Sequence, residues 1–109
     1  MKDHRLIDER SLAFDRKIVE KLRADPSLIA KAHSNIERWL PTSSPGVRLT
    51  LREWQDVLKA PFDELMAFLE SSDERATRLR QSSPFCGILT EEERLAIIGE
   101  FHARESAAA

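Results

Sequence analysis

Residues able to do chemistry are sparse in this chain and poorly spaced for it. His4, His33 and His102 are its three histidines, and none has a second imidazole at i+4, the spacing that sets two metal ligands on one helix face. The triplet Glu91-Glu92-Glu93 would suit a cation, but it follows Thr90 at capping-box spacing and reads as charge loading the positive end of a helix. Cys86 is the one cysteine. It can form neither an internal disulfide nor a cysteine-based zinc site, and no histidine or lysine neighbours it in the sequence to activate the thiol. No serine lies in a nucleophile elbow, and the three glycines are isolated, so no loop can cradle a phosphate. These residues predict no metal, no cofactor and no catalytic activity.

The compositionally particular stretch is instead Leu79 to Leu89. Arg75, Arg78 and Arg80 run into Gln81-Ser82-Ser83, and Pro84-Phe85-Cys86-Gly87 then breaks the helical period. Interfaces favour arginine and aromatic anchors surrounded by adaptable hydrogen-bonding groups. Arg75, Arg78, Arg80, Gln81, Ser82, Ser83 and Phe85 are therefore the expected partner-binding residues. Leu79, Ile88 and Leu89 are the expected anchors to the core, and Phe85 would serve equally well as a plug at the end of a bundle. On this reading, reversing the charge at both Arg78 and Arg80 weakens partner binding and leaves the fold intact.

The elements that position this stretch read as helices. Phe14, Ile18 and Leu22 recur at i, i+4 and i+8 in a first helix over 8–24, with Leu12 and Val19 forming a second apolar stripe. Asp25-Pro26 is a cap and first position for a second helix, which runs to Leu40 and carries Ile29, Ala32, His33, Ile36 and Trp39 on its apolar stripe. Pro41 to Gly46 reads as a loop, with Pro45-Gly46 suited to a type II turn. Thr50 and Glu53 then form a capping box, with Leu49 and Trp54 as its hydrophobic staple, for a third helix ending near Ala60. Pro61 opens a fourth helix whose buried face is Phe62, Leu65, Met66 and Leu69. A short, mostly exposed fifth helix over 72–81 starts from Ser71 and Glu74. The Thr90–Glu93 capping box opens a sixth, with Leu95, Ile98 and Phe101 buried and Gly99 allowing a close crossing. The expectation is an all-α, compact bundle of five or six short helices. It forms a single domain over 1–109, frayed at about 1–5 and 105–109.

Bulk properties agree with a soluble chain. Of its 109 residues, 41% are hydrophobic and 33% charged, and no apolar run approaches the roughly 20 residues of a membrane span. The N-terminus lacks the apolar segment of a secretory signal, and a lone cysteine suits a reducing cytoplasm. Residues 1–52 carry +4 and residues 53–109 carry −6 within the net −2. An acidic chain is a poor default binder of nucleic acid, whose affinity is dominated by phosphate contacts. The candidate recognition helix, 72–81, also lacks the usual turn glycine and carries acids that would face phosphates. A protein is the expected partner, and nucleic acid the less favoured one.

The chain resembles small bacterial antitoxins of two-gene toxin–antitoxin pairs. The resemblance is carried by Arg10-Ser11-Leu12-Ala13-Phe14, Glu37-Arg38-Trp39-Leu40, Trp54 with Val57-Leu58, and above all by Arg80-Gln81-Ser82-Ser83-Pro84-Phe85-Cys86-Gly87-Ile88-Leu89, continuing into Glu93-Arg94. Cys86 departs from the small residue, such as alanine, expected between Phe85 and Gly87. The resemblance implies a non-catalytic protein that binds a toxic enzyme and neutralises it by occlusion. The alternatives are a small helical DNA-binding regulator and an adaptor subunit of a larger assembly. Many antitoxins also bind their own operator, but this chain lacks the basic arm or ribbon that would support it.

Overall fold

Helix α1 (His4–Ala24) is the longest element, and it packs against the fourth, fifth and sixth helices. The structure, a computed structural model, describes residues 4–108. The order after α1 is α2 (Ile29–Trp39), α3 (Pro45–Val57), α4 (Phe62–Glu70), α5 (Glu74–Arg80) and α6 (Glu91–Ala108), with 3-10 turns at Pro26–Leu28 and Leu40–Thr42. Among the described residues there is no strand. The all-α bundle expected from the periodicities is therefore the observed fold. Both apolar stripes of α1 are used: Ile18, Val19 and Leu22 are buried, because the helix runs between neighbours.

Trp54 occupies the centre. It is 1% exposed and meets the rings of Phe68 and Phe85 edge-on, at centroid distances of 6.0 and 5.9 Å. Around it lie Leu22, Ile36, Leu51, Leu65, Met66, Leu69 and Leu79, contributed by α1 to α5.

Several helix ends differ from expectation. Helix α1 begins four residues early, at His4, and α6 continues to Ala108; the remaining expected frayed positions, 1–3 and 109, lie outside the described residues. Asp25 caps as expected, accepting the Ser27 N–H, but the first turn is 3-10 before α2 proper begins. His33 is exposed on α2 instead of lying on its buried stripe.

The largest correction is at α3. Pro45-Gly46 is the first turn of the helix, not a type II turn. Ser44 is extended and its hydroxyl accepts the Val47 N–H at 3.4 Å, while Pro45 at the first position has its φ preset. Thr50 therefore sits inside the helix, its hydroxyl donating to the Gly46 carbonyl. Leu49, 72% exposed, staples nothing. Ser44→Ala is expected to cost about 0.5–1 kcal/mol of unfolding free energy, whereas Thr50→Ala should change it by less than about 0.5 kcal/mol. Urea denaturation of the two variants measures this, and the opposite order would restore the capping box.

Pro61 caps α4 from outside and is not its first helical residue. Asp73, not Ser71, caps α5, its carboxylate accepting the Ala76 N–H at 2.8 Å while its own N–H donates to the Ser71 hydroxyl. The Thr90–Glu93 box is formed reciprocally, at 2.8 and 3.1 Å. Among the described residues of α6 only Phe101 is buried; Leu95 is 55% exposed and Ile98 is also exposed. Nothing lies within 4 Å of where a Gly99 side chain would begin, so no helix crosses there. The α6 stripe packs mainly against α1, and one helix does not cover it.

Candidate functional site

The segment from Arg80 to Leu89 crosses one end of the bundle, held from three sides. Arg80, the last residue of α5, has its side chain buried. Its Nε donates to Asp15 Oδ2 on α1 at 3.2 Å, and its Nη2 donates to the carbonyls of Leu69, at 3.2 Å, and Ser71. Trp54 Nε1 donates to the Leu79 carbonyl at 3.0 Å. From α2, the buried Asn35 donates through Nδ2 to the carbonyls of Pro84, at 2.8 Å, and Cys86, at 3.0 Å. Arg38 donates to Asn35 Oδ1 at 2.8 Å, fixing the orientation of that amide, and Lys31 reaches the Gly87 carbonyl at 3.2 Å. Gly87 has φ +89°, the left-handed region that a side chain disfavours. Phe85 N–H donates to the Ser83 hydroxyl. The irregular backbone is thus satisfied by side chains of the bundle, as buried carbonyls and amides require.

This geometry divides the expected partner-binding residues. Arg80 and Phe85 point inward, with Phe85 2% exposed against Trp54. They hold the segment and are not available at the surface, so Phe85 takes the plug alternative. Arg75 and Arg78 are exposed but converge on Glu53 of α3. Arg75 Nε donates to Oε2 at 2.8 Å, and Arg78 donates to both carboxylate oxygens at 3.1 and 2.8 Å. Hydrogen bonds from Arg78 and then Arg75 hold the Glu53 carboxyl at about 2. Gln81 and Ser82 are exposed, and Ser83 is half-buried. Of the expected anchors, Leu79 and Ile88 are buried and Leu89 partly so.

Gln81, Ser82 and Ser83 form one wall of a groove of about 240 Å³ whose other wall is Trp39, Ser43, Val47 and Leu51. Val47 is 46% exposed there, and Trp39 is half-buried under the guanidinium of Arg38 at 5.9 Å. Val47 was missed because the third helix was expected to start only at Thr50, which left residue 47 outside it.

Asp15 was also missed. Burial pushes its carboxyl up to about 7 from the ordinary 3.8, against the opposing pull of Arg80. Between those values the folded chain keeps a proton that the unfolded chain has lost, so folding is favoured at the acid end and stability falls as pH rises from about 4 to about 7. Glu53 and Glu93, both held at about 2, act the other way, and their contribution is lost as pH falls from 4.5 toward 2. Denaturation midpoints measured across pH should pass through a maximum near pH 4–5. Asp15→Asn should abolish the decline on the alkaline side of that maximum, and a decline that survives the substitution would assign it elsewhere.

Among the described residues no group of histidine, cysteine and acid side chains could hold a metal ion, and no helix is long and apolar enough to cross a membrane. No protein-family model, curated protein or solved structure matches the chain.

Proposed function

We propose that this chain is a non-catalytic protein-binding module of antitoxin type, acting in the cytoplasm by occluding a toxic enzyme. The observation that carries the reading is the groove between α3 and the 81–83 segment. It sets an exposed valine and an accessible tryptophan opposite the amide of Gln81 and the hydroxyl of Ser82, neither of which bonds within the protein. The backbone on which the wall stands is anchored on both sides, by Trp54 at Leu79 and by Asn35 at Pro84. A preformed surface of this kind loses little conformational entropy on binding. Arg38 and Arg48 add positive charge beside Trp39 and Val47, so the complementary segment presents an apolar side chain flanked by carboxylates.

The regulator reading draws less support. Of the three arginines on the candidate recognition helix, Arg75 and Arg78 bond to Glu53 and Arg80 is buried, so α5 offers DNA a largely neutralised face.

The test is co-expression with the product of the adjacent gene. The reading expects the two to co-purify and toxicity to be relieved only when both are made. Val47→Asp combined with Gln81→Ala should reduce binding at least about tenfold, the size of effect that interface anchors show, with melting temperature unchanged. Binding that survives this double substitution would move the interface elsewhere, and absence of toxicity or co-purification would remove the antitoxin reading.

A further inference from the structure

The outer face of α6 carries apolar side chains that the rest of the described chain leaves open. Leu95 is 55% and Ile98 37% exposed, and Ala96 and Gly99 beside them are exposed too. Next to Ile98 a groove of about 200 Å³ runs between α6 and the start of α1, lined by Leu6, Ile7, Arg10, Phe101, His102 and Glu105. From residue 5 to residue 14, α1 has no buried side chain, so this pair of helices keeps an apolar side that the core does not use. Gly99 is a second, separate observation. A glycine inside a helix is destabilising, yet apart from its own turn of helix no atom lies within 4 Å of where its side chain would begin. Nothing within the chain exploits the bare backbone there, whereas a helix crossing from outside could approach it closely.

The charges around the face select its occupant. Among the described residues Arg10, Glu91, Glu92 and Glu105 have no ion pair or hydrogen bond. Glu91 and Glu92 stand at the N-terminal end of the Leu95–Ile98 stripe, and Arg10 stands at its other end, in the groove. When α6 is laid antiparallel on a copy of itself across Ile98, residues equally far from the crossing meet. Glu91 and Glu92 of each copy then come level with residues 104–105 of the other, and so with Arg10, which shares the groove with Glu105. Each Arg10 thus lies between acids of both copies, and the symmetry makes the contact twice. A parallel pairing would instead stack the acid-loaded first turns of the two helices on each other.

We propose that the α1–α6 face is a homodimer interface, in which α6 crosses α6 of a second copy antiparallel at Ile98 and Gly99. The 18 residues of α6 make a face about 27 Å long. With α1 beside it, at about 20 Å in width, each copy offers roughly 500 Å². Two copies together reach about 1,000 Å², the lower limit for a specific interface, which sets the dimer among weak, reversible associations. The face shares no residue with the protein-binding groove, so the proposal stands whether or not the chain neutralises a toxin.

The test is sedimentation velocity of the full chain alone, from micromolar to millimolar concentration. A monomer–dimer equilibrium is expected, and Leu95→Lys should weaken it at least about tenfold, the size of effect that interface anchors show. Helicity should stay unchanged, because position 95 is exposed and the introduced lysine can pair with Glu91 one turn earlier. Orientation is tested by oxidising chains in which the exposed Cys86 is removed by Cys86→Ser and either Ile98→Cys or Glu91→Cys is added. The antiparallel crossing sets the two copies of position 98 side by side and holds those of position 91 about 20 Å apart, beyond the reach of a disulfide. Rapid cross-linking through 98 and not through 91 is therefore expected. A chain that stays monomeric up to millimolar concentration overturns the proposal, and because it is the unaltered chain, that result holds whatever the variants do to stability. A dimer that a folded Leu95→Lys chain forms undiminished also overturns it, and cross-linking through 91 overturns the antiparallel crossing.

Discussion

Replacing Arg80 by methionine is expected to destabilise the fold by about 3–5 kcal/mol at neutral pH, the range for removing one partner of a buried ion pair. Methionine replaces most of the apolar stem, so the loss is mainly polar. The carbonyls of Leu69 and Ser71 at the end of α4 lose their donor, and Asp15 loses the one group that draws its pKa down. Asp15 then remains protonated to higher pH, and the folded chain holds a proton that the unfolded chain releases near 3.8. The deficit should therefore be smaller at pH 4 than at pH 8. Adding Asp15→Leu should recover part of it, since an apolar pair often replaces a buried ion pair at little cost. Guanidinium denaturation of the single and double variants at both pH values measures these differences. A loss under about 1 kcal/mol for Arg80→Met, within the range of ordinary surface changes, would show that the pair does not hold the segment.

The same geometry reverses the expectation drawn from the arginine cluster. A glutamate at 80 would face Asp15 with no cation between them, so reversing charge at both 78 and 80 removes the fold and reports nothing about a partner. Arg78→Glu alone probes the surface.

What could be read from the chain, and what could not, follows one physical division. Apolar periodicity names helices, and among the described residues each of the six expected has its counterpart, with ends that shift by up to several residues. A buried polar residue gives no such signal, because its place depends on a partner far along the chain: Asp15 and Arg80 are 65 residues apart, Asn35 and Pro84 49. A hint was nevertheless present. Asp15 follows Leu12 at i+3 and precedes Val19 at i+4, Asn35 lies three residues after Ala32, and Arg80 stands at i+4 from Ala76. Each is a polar residue on a stripe that is otherwise buried. Arg80 was expected at the surface, which treated its charge as an indicator of exposure, and Asp15 and Asn35 drew no expectation at all. At α3 the error was different. Two valid start signals compete six residues apart, Ser44 with Pro45 and Thr50 with Glu53. The earlier one adds a further turn of backbone hydrogen bonding and leaves Glu53 to receive Arg75 and Arg78.

Trp54 is where stability and the proposed binding surface depend on the same side chain, and Trp54→Ala is expected to cost about 3–5 kcal/mol, as truncation of a fully buried tryptophan does. The loss combines the cavity left between Phe68 and Phe85 with the indole hydrogen bond to the Leu79 carbonyl, which keeps its bond from the Ser82 N–H. Trp54→Phe separates the two contributions, because it keeps an aromatic ring but removes the indole N–H, and should cost less. The indole also ties α3, which carries Val47 and Leu51, to the end of α5, from which Gln81 and Ser82 extend. Those are the two walls of the groove. If the groove binds a partner as proposed, Trp54→Phe should weaken that binding while Val47, Gln81 and Ser82 are all unaltered. Its denaturation midpoint should meanwhile remain high enough for the chain to be fully folded in the assay. Partner affinity that follows only the folded fraction, with no loss in a chain shown to be folded, would mean that the walls hold their spacing without the indole. The hydrogen bond to Leu79 would then serve the core alone.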